Sequence, residues 1–261
     1  MPTFKSDLPT RQEVLDYLDS AEPPQGPARL FHHSSGDLQR LSEFLRSSQA
    51  QAIAGTARSS VIAIGTDLSE QDREDIFLIC LHIQNKVWSE FENTLNLDWY
   101  ENYTRSLRFY GFAANGGPET VAPDAAVDQA GDAAERGIEK AFGKQTAGLA
   151  VTALQRLKSN AAKLATFERQ CTVREFSAFQ VMPCRLIGPG QVDVRIYHRD
   201  FIRRPGAADT SFWRHGLDIV QSQERMQNIT FQTRFFDEYR ERVRQSVERQ
   251  MLSSLDLFPL D

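Results

Sequence analysis

Two runs on either side of Gly188-Pro189-Gly190 constrain the chain most. Thr172 to Ile187 and Gln191 to Ile202 read as strands, the second alternating apolar and polar residues, and the Gly-Pro-Gly turn between them specifies an antiparallel hairpin. Val192, Val194 and Ile196 then lie on one face and Asp193, Arg195 and Tyr197 on the other, the pattern of a sheet with one buried and one wet side. Pro205-Gly206 marks a second turn, and a third strand is expected within Phe212 to Gln223. Residues 172–223 therefore read as a small antiparallel meander.

Upstream, the punctuation is helical. Thr10-Arg-Gln-Glu13 is a capping box that opens a short helix to Ser20, ended by Pro23, Pro24 and Pro27. Leu38, Leu41 and Leu45 stripe a second helix from Asp37 to Gln49. Ser69-Glu-Gln-Asp72 starts another, running to Trp88, in which six consecutive apolar residues, Ile76 to Leu81, exceed an amphipathic stripe and require a place inside the core. Trp99, Tyr103 and Leu107 sit four apart in a helix over residues 97–110, and Gly111-Phe112 is its left-handed stop. Ala-rich sequence from Ala125 and a stripe from Leu149 to Phe167 predict helices up to Arg169, the last spanning Gly148 to Arg169. Periodicity leaves Ala50 to Thr66, rich in Ala, Gly and Ser, open between strand and helix. Residues 113–124, with Gly116-Gly-Pro118 and Pro123, read as an exposed loop.

A closing helix within 230–253 carries Phe235, Tyr239, Val243, Val247 and Met251 at fourth positions. The expected fold is a single α+β domain over residues 1–261: a mainly helical part (1–170), the meander (172–223) and the closing helix, helices predominating.

Composition limits the function. The 261 residues are 41% hydrophobic and 25% charged, the balance of a globular chain, and no apolar run reaches membrane-spanning length. The net charge of −5 argues against a nucleic-acid grip, and although residues 195–249 carry +3, the arginines of the last helix alternate with Glu238, Glu241 and Glu248. Arg outnumbers Lys 24 to 6, which fits a GC-rich genome as readily as interface chemistry. Cys80, Cys171 and Cys184 show no CxxC spacing, which with the lack of an apolar leader points to a reducing cytoplasm.

Neither phosphate loop, GxxxxGK[ST] or GxGxxG, occurs, nor HExxH, nor GxSxG. The adjacent pair His32-His33 is poorly placed to ligate one metal, and the only nucleophile pairing the hairpin suggests is Cys184 with His198. No catalytic, cofactor or metal residue is assigned. The expectation is a non-enzymatic cytoplasmic protein that self-associates as a homo-oligomer or binds a protein partner, with Trp213, Arg240, Arg244, Leu257 and Phe258 as candidate interface residues. Nucleic acid is not an expected partner. The alternatives are a helical membrane-active toxin or effector, set back by the charges that alternate through the hairpin, and an enzyme whose site residues are scattered.

Overall fold

A computed structural model of the chain describes residues 8–20, 53–90, 97–121, 130–206, 211–213, 219–250 and 258–259. The first helix, α1 (Arg11–Ser20), begins at the predicted capping box: the Glu13 N–H reaches Thr10 Oγ1 at 3.4 Å and the Thr10 N–H donates to Glu13 Oε2 at 2.7 Å. The helix expected from Asp37 to Gln49 lies outside the described residues. A tight hairpin follows, β1 (Ile53–Ala57) and β2 (Ser60–Ile64), which settles the ambiguous stretch as strand. Then come α2 (Glu70–Glu90), whose Asp72 N–H donates to the Ser69 hydroxyl, and α3 (Leu97–Leu107), which tightens through a 3-10 turn to Gly111 at φ 95°. Gly111 is obligatory here, because a side chain would have to hold a left-handed backbone while pressing on Gln232 O, 3.1 Å from the Cβ position.

The loop expected at 113–124 is narrowed to Asn115–Pro118, which β3 (Phe112–Ala114) and β4 (Glu119–Val121) enclose, and its residues 122–124 lie outside the described residues. Next comes α4 (Ala130–Ala141), within the expected Ala-rich helical stretch, and α5 (Lys144–Ser159) and α6 (Ala161–Gln170) then replace the single long helix expected from Gly148. Asn160 makes the break, its extended backbone ending one helix while its side chain accepts the Lys163 N–H at 3.0 Å to start the next. The short β5 (Thr172–Val173) leads into β6 (Phe176–Gly188), β7 (Gln191–Arg203) and β8 (Ile219–Gln232). The closing helix is split into α7 (Thr233–Phe236) and α8 (Arg240–Gln250), and β9 (Phe258–Pro259) follows.

These strands form one mixed nine-stranded sheet with the path β3-β8-β7-β6-β2-β1-β9, β4 pairing with β8 and β5 with β6. All described pairings are antiparallel except β2 with β6. The expectation of a predominantly helical domain with a small meander at 172–223 is therefore overturned. The sheet reaches residues 53–64 and 112–121, and its third long strand runs 219–232 rather than within 212–223.

Helices cover both faces, and two cores result. On one face Ile62, Met182, Val194 and Ile229 meet α1, α2, α3 and α8; Ile76 to Leu81 are there, all within 1% of complete burial. On the other, Val61, Phe179, Tyr197 and Met226 meet α4, α5 and α6. The second face of the hairpin is consequently not wet as expected: Tyr197 is fully buried, and Asp193 and Arg195 are half-buried and ion-paired to each other at 3.0 Å. No described helix is long and apolar enough to cross a membrane.

Candidate functional site

Charge in the middle of a sheet covered on both sides is costly unless paired, so its location is the first guide to a site. It collects where β7 crosses β8. The β7 segment His198-Arg199-Asp200 alternates faces, as does Glu224-Arg225 of β8, and the register sets His198 opposite Arg225 and Arg199 opposite Glu224.

On the α3 face, the His198 ring is fully buried, 4.5 Å from the Tyr100 ring centroid and stacked at 5.5 Å on Trp99. Its Nε2 stands 3.4 Å from Asp200 Oδ2, and neither ring nitrogen has a hydrogen-bond partner among the described residues. Arg225, 3% exposed, pairs with the same Asp200 oxygen and lies over the Tyr100 ring at 5.6 Å. Burial pushes the His198 imidazole below its ordinary value, Asp200 only partly opposing it. Burial also works against the Asp200 carboxylate, but His198 and Arg225 together outweigh it and hold that group below the usual range. At neutral pH the cluster is thus a neutral imidazole beside a carboxylate–guanidinium pair. Further along this face, Ser60 Oγ accepts from Gln180 Nε2 at 2.7 Å and from Gln84 Nε2.

On the α4 face, Arg199 Nε donates to Ser222 Oγ at 3.0 Å and its Nη1 lies 3.4 Å from Glu224 Oε1. Gly137 of α4 passes directly above: a Cβ there would stand 2.8 Å from the Tyr197 ring, so only glycine lets the helix close over this cluster. Beside it, at the sheet edge, the Asn115–Pro118 loop and β8 frame a concavity of about 280 Å³. The loop is tied to β8 by the Asn115 N–H to Asn228 O (3.1 Å) and by Gln227 Nε2 to Gly116 O (3.3 Å). Tyr100 OH, 3.5 Å from Gln227 Oε1, connects that edge to the buried cluster.

The residues singled out in the sequence do not converge. Trp213 is fully buried against Phe167 and Phe179, its backbone N–H donating to Glu168 Oε1 at 2.9 Å. Arg240 grips the buried Asp75 with two hydrogen bonds of 2.7 Å, and Arg244 pairs with Glu74 at 2.7 Å. Phe258 lies in β9, its backbone paired with Thr56 at the sheet edge, while Leu257 and the His32-His33 pair lie outside the described residues. Cys184 pairs with Val194 and His198 with Gln180, which puts the two about 13 Å apart along the ladder and forbids a dyad. All three thiols are buried, and burial pushes Cys80 up to about 12 and the other two well above the ordinary value. Among the described residues there is no group of three or more His, Cys, Asp or Glu side chains placed to hold a metal ion.

Sequence reading missed His198, Asp200 and Arg225 as a unit. The available signal was the period of two in His198-Arg-Asp200, but the partner depended on a register that the displaced third strand did not give.

No protein-family model and no curated protein matches the chain. Among solved structures, that of the Evf virulence factor is similar over 82% of this chain and 90% of its own, at 10% identity and a TM-score of 0.38. That likeness is too distant to carry fold or activity across.

Proposed function

We propose that the protein works by binding, associating with a second copy of itself through apolar contacts at the tip of the β6–β7 hairpin. The observation that carries this reading is the exposure of Ile187 (58%) and Leu186 (36%) beside the rigid Gly188-Pro-Gly190 turn, when other described aliphatic side chains of β6 and β7 are buried or half-buried. Fully burying each of these aliphatic side chains on contact contributes about 1.5–3 kcal/mol. His82 and His198 and all three cysteines are by contrast enclosed, out of reach of a substrate unless the fold opens. The interface roles of Arg240 and Arg244 belong to the same proposal only in a supporting sense, since both already hold α8 to α2.

Light scattering on a sizing column over about a hundredfold range of concentration tests it. The expected result is a multiple of 29.6 kDa at the upper end, and a shift of the midpoint by more than about tenfold for L186S/I187S. A wild-type mass of 29.6 kDa at every concentration refutes it.

A further inference from the structure

The notch beside β8 has the form of a small binding site. Its origin is a mismatch at the sheet edge. β3 pairs residues 112–114 with 231–229, and β4 pairs 119–121 with 226–224, so four edge residues, Asn115 to Pro118, stand opposite only Gln227 and Asn228. Two residues are therefore extra, and the edge bows outward instead of closing on β8, a departure that recurs beside binding and active sites. Gly116 holds φ 140°, a conformation that excludes ordinary side chains, and a Cβ there would meet nothing within 4 Å. The bow is held at Asn115 and Gly116 by the hydrogen bonds described above and at its far end by the pairing of Glu119 with Met226, so the opening is part of the folded edge.

What lines it is chemically specific. The floor is apolar, made by Met226 and Phe142, which are 7% and 4% exposed. The rim carries the exposed side chains of Glu119 and Asn228, neither with a partner among the described residues, and the bare backbone of Gly116 and Gly117. One carboxylate that only accepts, one carboxamide that both donates and accepts, and glycine backbone facing them suit a ligand bearing adjacent hydroxyls. The floor suits a C–H face on the same molecule. Among the described residues no lysine or arginine lines the notch, so an anion would meet Glu119 without compensation. The volume, about 280 Å³, lies just below the range of drug-sized pockets and admits one small ring.

We propose that this notch binds a neutral polyhydroxylated ligand of monosaccharide size, with Glu119 accepting from a pair of hydroxyls, Asn228 bridging a third, and the ring's apolar face on Met226 and Phe142. This is independent of self-association at the hairpin tip, which lies on a different part of the sheet.

The test is an amide-detected NMR titration of the full chain with D-glucose, D-galactose and N-acetyl-D-glucosamine, each to about 50 mM, with acetate and methylammonium as charged probes. At least one sugar is expected to give saturable shifts centred on Gly116, Gly117 and the Asn228 side-chain amide. E119Q should weaken that binding by about tenfold, the loss of a charge-assisted hydrogen bond, and N228A should weaken it further. Both positions are exposed, so the variants keep the wild-type spectrum elsewhere, which the same experiment verifies. The proposal is overturned by unsaturated or absent shifts with all three sugars, by shifts that survive both substitutions, or by methylammonium or acetate occupying the notch in preference to every sugar.

Discussion

Replacing Arg240 by methionine separates an internal role for this residue from one at an interface. In the folded chain its guanidinium makes two 2.7 Å hydrogen bonds to Asp75, whose side chain is fully buried; Arg240 itself is 23% exposed and also reaches Asp237. Methionine keeps the stem and removes the charge, stranding a buried carboxylate with Gln71, at 3.0 Å, as its remaining donor among the described residues. Breaking one side of a buried pair costs about 3–5 kcal/mol, and because the arginine opens toward water the lower end applies, about 3 kcal/mol or roughly 10 °C in Tm. The pH dependence carries a definite sign. Burial already raises the Asp75 carboxyl above its ordinary value, against the pull of Arg240, so this group favours the fold when protonated and costs stability as pH rises through its folded value. Without Arg240 that value rises further. The deficit of R240M is therefore full at pH near 7 and shrinks as pH falls through the carboxylate range, where a protonated Asp75 needs no cation. Urea unfolding followed by circular dichroism, at about pH 7 and about pH 4.5, reads both quantities. The D75N/R240M double variant should recover about 2 kcal/mol at pH 7, since a neutral amide replaces the stranded charge. A deficit under about 1 kcal/mol, one independent of pH, or a double variant no better than R240M would refute the reasoning.

Two glycine replacements should move stability in opposite directions by thermal melting. In α4, G131A places a Cβ 2.3 Å from Trp213 Nε1 and should cost about 1–3 kcal/mol, whereas G148A in α5 meets nothing within 4 Å and should add about 0.5–1 kcal/mol. His198, held neutral by burial, contributes stability that is present above its unfolded value of about 6.5 and is lost as pH falls through the lower folded value; H198Q should flatten that part of the stability profile, and an unchanged slope would place the titration elsewhere. A disulfide reagent should leave the native chain unlabelled and find three thiols after denaturation; fast labelling of any one in the native state contradicts their burial.

Legibility followed the range of the interactions. Thr10 to Glu13, Ser69 to Asp72, Gly111 and the Gly188-Pro-Gly190 turn act within a few residues, and each does in the structure what its spacing predicts. Asn160 was equally local, yet its break was hidden because the apolar stripe from Leu149 to Phe167 continues across it through Leu157 and Leu164. The strands that the sequence leaves open or hides depend on distant partners. Ser60 to Ile64 becomes a strand by lying parallel to Gln180 to Cys184, and Phe112 to Ala114 by lying against Ile229 to Phe231. Neither segment advertises this: the first hairpin is rich in Ala, Gly and Ser, and the second consists of fragments too short to show a period. The loop of the notch beside β8 is legible in the sequence but its bow is not, since that is defined only against Gln227 and Asn228.

The charged band across β7 and β8 has a structural consequence that must be subtracted before any chemistry is assigned to it. Arg199 faces Glu224 on one side of the sheet, while Asp200 and Arg225 pair on the other, so the two clusters stand back to back on the same four residues of backbone. A slip of β8 by two positions would keep every side chain on its face but set Arg199 against Ser222 or Met226 and leave Glu224 buried without its cation. Each stranded charge costs several kcal/mol, so the band fixes one register for the two longest paired strands, and it does so without net charge. His198 stands outside that account. Removing it would strand no ion, its Nδ1 has no hydrogen-bond partner, and a fully buried aromatic hydrocarbon could fill the space between Trp99 and Tyr100. A register lock therefore explains Arg199, Glu224, Asp200 and Arg225 but not the imidazole.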